Sequence, residues 1–294
     1  MAAQALHLTP SGVSQHLAKL EAETGLELLD RSRRGGGRTV QLTTAGRTLA
    51  DHAEQVAEAL VAAEREVDRL RNRSSGAVRI GGFASVLNQL VAPVVTAMAI
   101  SDPAIEPHIV EIDDEVGLAE LRAGRLDFML SERHPTVPTR LPRGITEVDL
   151  LRDPYRIVVP DSWSATDQPE TLLAGAWVAT EPGQGSRRIL ERLCEDSGVT
   201  LSMRHVCRDS ATMLALVAAG LGAAIIPELT LSYQPRHRVR VSTGVLDPGA
   251  RILTTLRSRS SLGAPAAERF LSELQQLAAT RQGSGTGSDP APVR

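Results

Sequence analysis

The stretch TPSGVSQHLAKLEAETG, residues 9–25, decides how the first part of the chain folds. Thr9 can cap a helix with its hydroxyl group, and Pro10 suits the first helical position, where no amide is needed. Apolar side chains then recur at i, i+4 and i+7, so they form one stripe along the helix. The stripe consists of Val13, Leu17 and Leu20. The sequence therefore predicts an amphipathic helix that begins at residue 10.

The opposite face of this helix is polar and carries little charge. It consists of Ser11, Ser14, Gln15 and Lys19. Small donor and acceptor side chains let a helix lie deep in the major groove of DNA and reach the base edges. An ordinary amphipathic surface helix has the same periodicity, so this face alone leaves both interpretations open.

The segment RSRRGGGRTVQL, residues 31–42, favours the DNA-binding interpretation. It has two short strand-like runs around a glycine turn that carries four arginines, which is typical of the wing in a winged helix-turn-helix. Guanidinium groups supply the sequence-independent attraction to phosphates on which such binding depends. We expect arginines of the wing to contact phosphates or the minor groove, while the helix faces base edges. The predicted DNA-binding residues are Thr9, Pro10, Ser11, Ser14, Gln15, Lys19, Arg33, Arg34 and Arg38.

Three segments carry a resemblance to a known family: residues 13–21 (VSQHLAKLE), 25–31 (GLELLDR) and 42–46 (LTTAG). In their order and spacing the chain resembles the LysR-type transcriptional regulators. It departs from them at TPSG, residues 9–12, where many members have Ser-Gln-Pro-Ala. Members also carry a further helix before the segment that corresponds to residues 1–8. The resemblance thus implies that the first helix is missing, and we expect a misplaced start codon.

Composition limits the class of protein. A chain of 294 residues can form two or three domains with real cores. The net charge of -3 excludes a globally basic nucleic-acid binder, so any contact with double-stranded DNA must be local. The sequence has no secretory signal or long apolar span, and two cysteines do not make a disulfide framework. We therefore expect a cytoplasmic protein without a membrane partner.

Residues 44–73 have a heptad pattern after a helix cap at Thr43 or Thr44. The apolar positions are Leu49, Ala53, Val56, Leu60, Ala63, Val67 and Leu70. The steps of four and three between them are typical of a coiled coil, which needs a partner chain to bury its stripe. A long helix lying on its own domain is the alternative. A homodimer or homotetramer would present paired recognition helices to two half-sites.

Beyond a break at residues 72–76 the pattern alternates strands and helices, which indicates a parallel α/β arrangement. The predicted strands are residues 78–82, 108–112, 126–131, 155–160, 177–180, 203–207, 223–226 and 250–257. The predicted helices are residues 86–100, 116–123, 186–197, 210–219 and 265–279. The Gly/Ser/Pro composition of residues 283–294 predicts a disordered tail.

Residues 77–279 resemble the effector-binding domain of the same family, which is similar to periplasmic solute-binding proteins (type 2) with two α/β lobes. The segments that carry this resemblance are GAVRIG at 76–81, LRAGRLD at 121–127 and LVAAGLGAAIIP at 216–227. The resemblance implies a winged helix-turn-helix domain (1–43), a dimerisation linker helix (44–73) and an effector domain (77–282). Lobe I would comprise 77–151 and 242–282, and lobe II 152–241.

A ligand site is expected between the lobes, where strands end and helix N-termini point inward. The predicted effector-binding residues are Ala84, Ser85, Ser131, Gln184, Gly185, Ser186 and Ser210. Their hydroxyl and amide groups can bind an acidic group, so a small carboxylate-bearing metabolite is the expected effector. The alternative is that Ser85, Ser186 and Asp209 only cap their helices.

Other chemistry lacks support in the sequence. No catalytic set, metal-ligand spacing or nucleotide-binding loop can be assembled, so we expect no enzyme, metal or cofactor. The acidic run at residues 113–115 is expected to be a solvated turn. Cys194 and Cys207 are expected to pack inertly, because Gly185 occupies the position of the reactive cysteine in peroxide-sensing members.

These observations predict a ligand-responsive, DNA-binding transcriptional regulator of the LysR type. A small molecule between the lobes would shift their relative angle, and the oligomer would transmit this to the half-site spacing. The alternative is a solute-binding protein whose impaired N-terminal domain no longer holds DNA.

Overall fold

The computed structural model describes residues 9–30, 41–71, 76–135, 141–164, 168–234, 238–242, 246–259 and 263–284. The chain divides into two compact units, Met1–Val67 and Asp68–Arg294.

The first unit contains the predicted helix, α1, at Pro10–Thr24. The Thr9 hydroxyl accepts the amide of Gly12 at 3.1 Å, as expected of an N-cap. Gly25 ends the helix in the left-handed region, with φ 67°, and its amide donates to the Glu21 carbonyl. The predicted start of this helix is therefore confirmed.

Two short strands follow, β1 (Leu29–Asp30) and β2 (Gln41–Leu42), and they pair antiparallel. The Glu21 carboxylate fixes the entry to β1, because it accepts the amides of Leu28 at 2.8 Å and Leu29 at 3.1 Å. These strands form the base of the predicted wing. The wing arginines Arg33, Arg34 and Arg38 lie outside the described residues.

The long helix α2 spans Thr44–Arg71. Of the two predicted caps, Thr43 is the one observed, since its hydroxyl accepts the Gly46 amide at 3.0 Å. The close approach of this helix start to the preceding loop requires a glycine. A Cβ atom on Gly46 would lie 2.2 Å from the Leu28 carbonyl oxygen.

The predicted heptad stripe of α2 is open to solvent in the single chain. Val56 is 69% exposed and Leu60 is 60% exposed, while Val67 is 44% exposed. Ala53 and Ala63 are exposed as well, whereas Leu49 is half-buried. The side chain of Leu70 lies outside the described part of the chain. Residues 44–67 therefore do not bury this stripe within their own unit.

The second unit is built on strands β3 to β11. They are β3 (Gly76–Gly82), β4 (Ile105–Glu111), β5 (Phe128–Arg133), β6 (Ile145–Pro160), β7 (Ala176–Ala179), β8 (Ser202–Val206), β9 (Ala224–Pro227), β10 (Val239–Ser242) and β11 (Ala250–Ser258). Seven of them form one sheet in the order β10-β6-β11-β5-β3-β4, with β9 also paired to β6. Strands β7 and β8 form a separate parallel pair.

The seven-stranded sheet is mixed, so the expectation of a parallel arrangement is wrong for four of its six strand pairings. β3 is parallel to β4 and to β5, but β11 is antiparallel to both β5 and β6. The reason lies in the connections. No helix separates β5 from β6 or β10 from β11 in the described residues, and without a crossover helix consecutive strands can turn back.

Strand β6 has 16 residues, of which the sequence predicted only the last six. Its first part, from Ile145 to Pro154, pairs with β11. Its second part pairs with β9 and with β10. One continuous strand thus serves both halves of the effector domain, and the proposed lobe boundary at 151/152 falls within it.

Helices cover the sheet faces. They are α3 (Ala84–Val86), a π-helical turn (Leu87–Val91) and α4 (Ala92–Ser101) in one run, then α5 (Asp114–Arg122), α6 (Pro169–Leu173), α7 (Gly185–Asp196), α8 (Ser210–Ala218), α9 (Glu228–Leu231) and α10 (Pro265–Ser284). Helix α10 includes residues 283 and 284, which the sequence assigned to a disordered tail. The rest of that tail lies outside the described residues.

Each half of the domain has its own apolar core. In the first, Phe128 and Phe270 pack with ring centroids 5.9 Å apart. In the second, Trp177 is fully buried and its indole N–H donates to the Leu173 carbonyl at 3.1 Å. Among the described residues, Ala84–Ser101 is the one helix long and apolar enough to cross a membrane. Its buried face, including Val86, belongs to the first core.

Candidate functional site

The polar face of α1 is the first candidate site. Ser11, Ser14, Gln15 and Lys19 are all exposed, and they lie opposite the half-buried Val13 and Leu17. Thr9 is exposed but its hydroxyl is occupied, because it caps α1 and lies 3.0 Å from the Ser11 hydroxyl. Pro10 is the first residue of the helix. The structure therefore places these predicted residues along one helix, and their contacts with DNA stay predictions.

The second candidate site is a cleft of about 540 Å³ in the effector domain. It lies beyond the carboxyl ends of β3, β4 and β5, where α3, α7 and α8 begin. Parallel strands and helix N-termini meet at such an edge, which is where α/β proteins bind ligands. Six of the seven predicted effector residues line it: Ala84, Ser85, Gln184, Gly185, Ser186 and Ser210.

Ser131 is the predicted residue that does not line the cleft. It is buried on β5, and its hydroxyl donates to a carboxylate oxygen of Asp114 at 2.7 Å. Asp114 itself faces the cleft. Ser131 therefore reaches the site through Asp114.

Arg251 is a central residue of the cleft that the sequence did not indicate. It is only 5% exposed, and it joins three parts of the domain. Its Nε donates to Asp153 at 2.8 Å, one terminal nitrogen donates to Ser85 at 3.1 Å, and the other donates to Glu132. The guanidinium group also lies 5.0 Å from the ring centroid of Phe83, which is a cation–π contact.

Burial and charge act in opposite directions on this cluster. Burial alone lowers the pKa of Arg251, but the carboxylates of Glu132 and Asp153 outweigh it, so the pKa lies above its ordinary value. For Asp153, burial raises the pKa by more than Arg251 and the amide of Leu229 lower it. That amide donates to the second Asp153 oxygen at 2.9 Å. The cluster is therefore a buried, hydrogen-bonded network that holds more negative than positive charge.

Tyr155, on β6, is another lining residue that the sequence missed. It is 3% exposed, and within the described part of the chain its hydroxyl has no hydrogen-bonding partner. Burial and then the charge of Glu132 raise the pKa of this phenol well above its usual range, so it stays protonated and can donate. Gly185 leaves it room, since a Cβ atom there would lie 2.5 Å from the phenol oxygen.

The helix starts around the cleft differ in how they are capped. At α7 the N-cap residue is Gln184, and its side chain makes no capping hydrogen bond. At α8 the carboxylate of Asp209 accepts the amide of Thr212 at 2.8 Å, and this bond lowers the pKa of Asp209. Of the three proposed caps, Asp209 alone acts as one. The α7 amides remain available, as in helix N-termini that bind anions.

The acidic run at 113–115 is exposed, as expected, but it forms the start of α5 and not a turn. Asp113 caps α5 by accepting the amide of Val116 at 2.9 Å. The surroundings of the Asp114 carboxyl group desolvate it and raise its pKa, although the bond from Ser131 acts in the opposite direction. Among the described residues, no group of three or more His, Cys, Asp or Glu side chains could hold a metal ion.

Both cysteines are free thiols. Cys194 is buried on α7, and burial raises its pKa more than the charge of Arg187 lowers it. Cys207 is half-buried after β8. A raised thiol pKa suits packing, because the thiolate is the reactive form.

Comparison with known proteins identifies the two domains. Two family models match the chain: "Bacterial regulatory helix-turn-helix protein, lysR family" over residues 1–47 and "LysR substrate binding domain" over residues 71–279.

Two curated relatives illustrate the sequence similarity. The chain is 30% identical over 248 residues to the HTH-type transcriptional regulator ShiR of Corynebacterium glutamicum (strain R), covering 82% of this chain and 81% of ShiR. It is 26% identical over 235 residues to the HTH-type transcriptional regulator CbbR of Rhodospirillum rubrum, covering 79% of this chain and 75% of CbbR.

Among solved structures, full-length CbnR complexed with its target DNA has a similar fold. The TM-score is 0.54 at 22% identity, and the similarity covers 94% of this chain and 93% of CbnR.

Proposed function

The chain belongs to the LysR family of transcriptional regulators. From this premise we propose a separate function for each of its two candidate sites. The polar face of α1, with the wing, binds an operator in double-stranded DNA. The cleft of the effector domain binds a small molecule that changes how the oligomer holds the DNA. The chain is a regulator that acts in the cytoplasm and not an enzyme.

The observation that carries the effector proposal is the convergence of separate loops on one cleft. Ser85 follows β3, Gln184 precedes α7 and Ser210 begins α8, yet all three line the same 540 Å³. A cavity of this size with a few convergent polar groups is typical of a small-molecule site. We assign the binding of the effector's carboxylate to the uncapped start of α7, with the side-chain amide of Gln184 and the phenol of Tyr155 as further donors.

The oligomer follows from α2. Its exposed apolar stripe, from Ala53 to Val67, has the spacing of a two-stranded coiled coil. We propose that two chains pair through it, as a homodimer or within a homotetramer, so that two α1 helices meet two half-sites. Effector binding then changes the angle within the effector domain, and the oligomer converts this into a change of half-site spacing.

The effector proposal is tested by thermal-shift titration of small organic acids against three forms of the full chain. The wild type should be stabilised by the effector acid, whereas Gln184→Ala should lose that stabilisation and keep the unliganded melting temperature. The matched control is Gln275→Ala, an exposed glutamine on α10 outside the cleft, which should behave as wild type. Equal stabilisation of all three forms would show that the acid binds elsewhere.

A further inference from the structure

The charged groups that line the cleft are mostly negative. Five carboxylates face two guanidinium groups: Glu111, Asp113, Asp114, Glu132 and Asp209 against Arg208 and Arg251. Such an imbalance in a concave, partly desolvated site attracts cations and repels a ligand that is only anionic.

Neither arginine is free to reverse that balance. Arg208 is paired with Glu181, at 2.8 Å between Nε and the carboxylate oxygen. Arg251 already holds Glu132 and Asp153 together, so one positive charge is shared by two carboxylates. An anionic ligand at Arg251 would have to displace Glu132, which stays in the cleft, so the ligand would add its own charge to the negative excess.

The carboxylate of Glu111 is available to a ligand. It ends β4 and is exposed, and no described residue forms a hydrogen bond or an ion pair with it. Asp114, which also lines the cleft, accepts the hydroxyl of Ser131 through one oxygen, which leaves the other oxygen as an acceptor. With Glu132 these residues form what we call the acidic wall of the cleft: Glu111, Asp114 and Glu132.

Unpaired hydroxyl groups show independently that the cleft has unfilled polar positions. The Thr180 hydroxyl oxygen lines the cleft, and it is buried without a hydrogen-bonding partner among the described residues. Two further lining residues turn hydroxyl groups toward the cleft. Tyr155 is 3% exposed and Thr230 is 4% exposed, and both line the cleft. In the part of the chain that the structure describes, neither hydroxyl has a hydrogen-bonding partner. Buried polar groups are nearly always paired in native proteins, so unpaired ones that face a cavity mark positions for the polar groups of a ligand.

We propose that the effector is a small zwitterion of the α-amino acid type, with its ammonium group held by the acidic wall. This rests on the proposed function, because its carboxylate occupies the α7 start described above. The ammonium group supplies the positive charge that the cleft lacks, and carboxylates of the acidic wall can accept its N–H donors. The two charges of an α-amino acid lie close together, and Glu132 adjoins the α7 start, since a Cβ atom on Gly185 would lie 3.2 Å from its carboxylate oxygen.

The test is calorimetric titration of the full chain with three matched sets of compounds. The first set is the twenty standard L-amino acids. The second is the corresponding carboxylic acids without the amine, and the third is the corresponding amines without the carboxylate. We expect binding by one or a few amino acids, and binding at least about tenfold weaker by the matched acid and by the matched amine.

The outcomes separate the two proposals. If a carboxylic acid binds as tightly as its amino acid, the ammonium subsite is wrong while the carboxylate effector site stands. If an amine binds as tightly as its amino acid, the α7 carboxylate site is wrong while the acidic wall stands. If no compound of the three sets binds, the zwitterion proposal is overturned.

A variant pair on one strand localises the ammonium. Glu111→Gln removes a negative charge from the acidic wall, and Glu106→Gln removes the same charge from β4 outside the cleft. We expect Glu111→Gln to weaken the bound amino acid about tenfold and to leave the matched carboxylic acid unaffected, with Glu111→Asp restoring part of the affinity. Equal effects of both variants, or none from Glu111→Gln, would overturn the assignment.

Discussion

At the scale of single residues, Arg251 determines more of the cleft than any residue that the sequence indicated. It lies on β11 within a run, ARILTTLRS, in which it looks like one more surface arginine. Its importance comes from partners distant in sequence: Ser85, Glu132 and Asp153. Hydroxyl groups at helix starts can be predicted from local spacing, but a buried ion network depends on which strands become neighbours.

Arg251→Met should therefore be strongly destabilising. It leaves the buried Asp153 carboxylate without its counter-charge, and breaking such a pair from one side typically costs about 3–5 kcal/mol. Urea unfolding followed by circular dichroism measures the loss. Arg259→Met, at an exposed arginine just beyond β11, is the control and should stay within about 0.5 kcal/mol. If Arg251→Met cost no more than the control, the network would contribute little to stability.

Asp114→Asn should make the chain more stable at neutral pH and change its pH dependence. The pKa of Asp114 is raised on folding, so the folded chain binds this proton more tightly than the unfolded chain does. The contribution of Asp114 to stability is therefore full below the ordinary pKa of 3.8 and falls as pH rises through the raised value. The variant cannot titrate, so its advantage in melting temperature should appear as pH rises from about 4.

Asp209→Ala should change stability with pH in the opposite direction, and it serves as the control for this measurement. The amide of Thr212 lowers the pKa of Asp209, so its carboxylate stabilises the fold above the ordinary value of 3.8 and loses that effect as pH falls through the lowered one. Its loss should cost most at neutral pH. Parallel pH profiles for both variants would contradict the assigned pKa directions.

At the scale of elements, the sequence predicted helices better than strand pairing. The cap at Thr9 and the apolar spacing placed α1 within one turn, because both signals are local. The periodicity of residues 44–73 predicted the helix α2 equally well. Strand β6 was predicted only in part, because charged side chains such as Asp149 and Arg152 interrupt the apolar residues of its first ten positions. Its second part contains an uninterrupted apolar run at residues 157–159.

Leu60→Glu should prevent pairing through α2. The side chain is 60% exposed in the single chain, so the substitution costs the isolated helix little, but it places a charge in the proposed seam. Sedimentation velocity should then show a smaller species than wild type. Leu60→Met, which keeps an apolar side chain of similar volume, should retain the wild-type assembly. An unchanged sedimentation coefficient for Leu60→Glu would show that α2 is not the interface.

At the scale of the whole molecule, a chain with a net charge of -3 must confine its attraction for DNA to a small region. Specificity and general affinity should therefore separate by residue. Gln15→Ala should relax the operator preference, because Gln15 is exposed on the polar face of α1. Arg34→Ala should weaken operator and random DNA alike, and should reduce the salt dependence by about one phosphate contact.

Gel-shift assays over a series of salt concentrations distinguish these effects. Arg259→Ala, an exposed arginine of the effector domain, is the control and should leave both affinity and salt slope unchanged. If each of Gln15→Ala and Arg34→Ala weakened binding to operator DNA and to random DNA by the same factor, the division between base and phosphate contacts would be wrong.

The site was predictable at this scale only as a set of loops. Six of seven expected effector residues line the cleft, because strand ends and helix starts follow from local patterns. The negative charge of the cleft could not be predicted from the sequence. The acidic wall residues come from three separate elements, and only the folded sheet brings those elements to one cleft. Helix starts alone predict the hydrogen-bond donors of the cleft but not its acidic wall.

The continuity of β6 has a practical consequence for building biosensors from this chain. A designer who grafts the ligand specificity of another regulator would cut between the lobes, yet the cut at 151/152 falls inside a strand that both lobes use. Along this strand Arg152 is exposed while Asp153 and Tyr155 are buried, and Tyr155 faces the cleft. One residue gained or lost at the junction would exchange inward and outward side chains over the rest of the strand. Chimeras should therefore take β6 whole from a single parent.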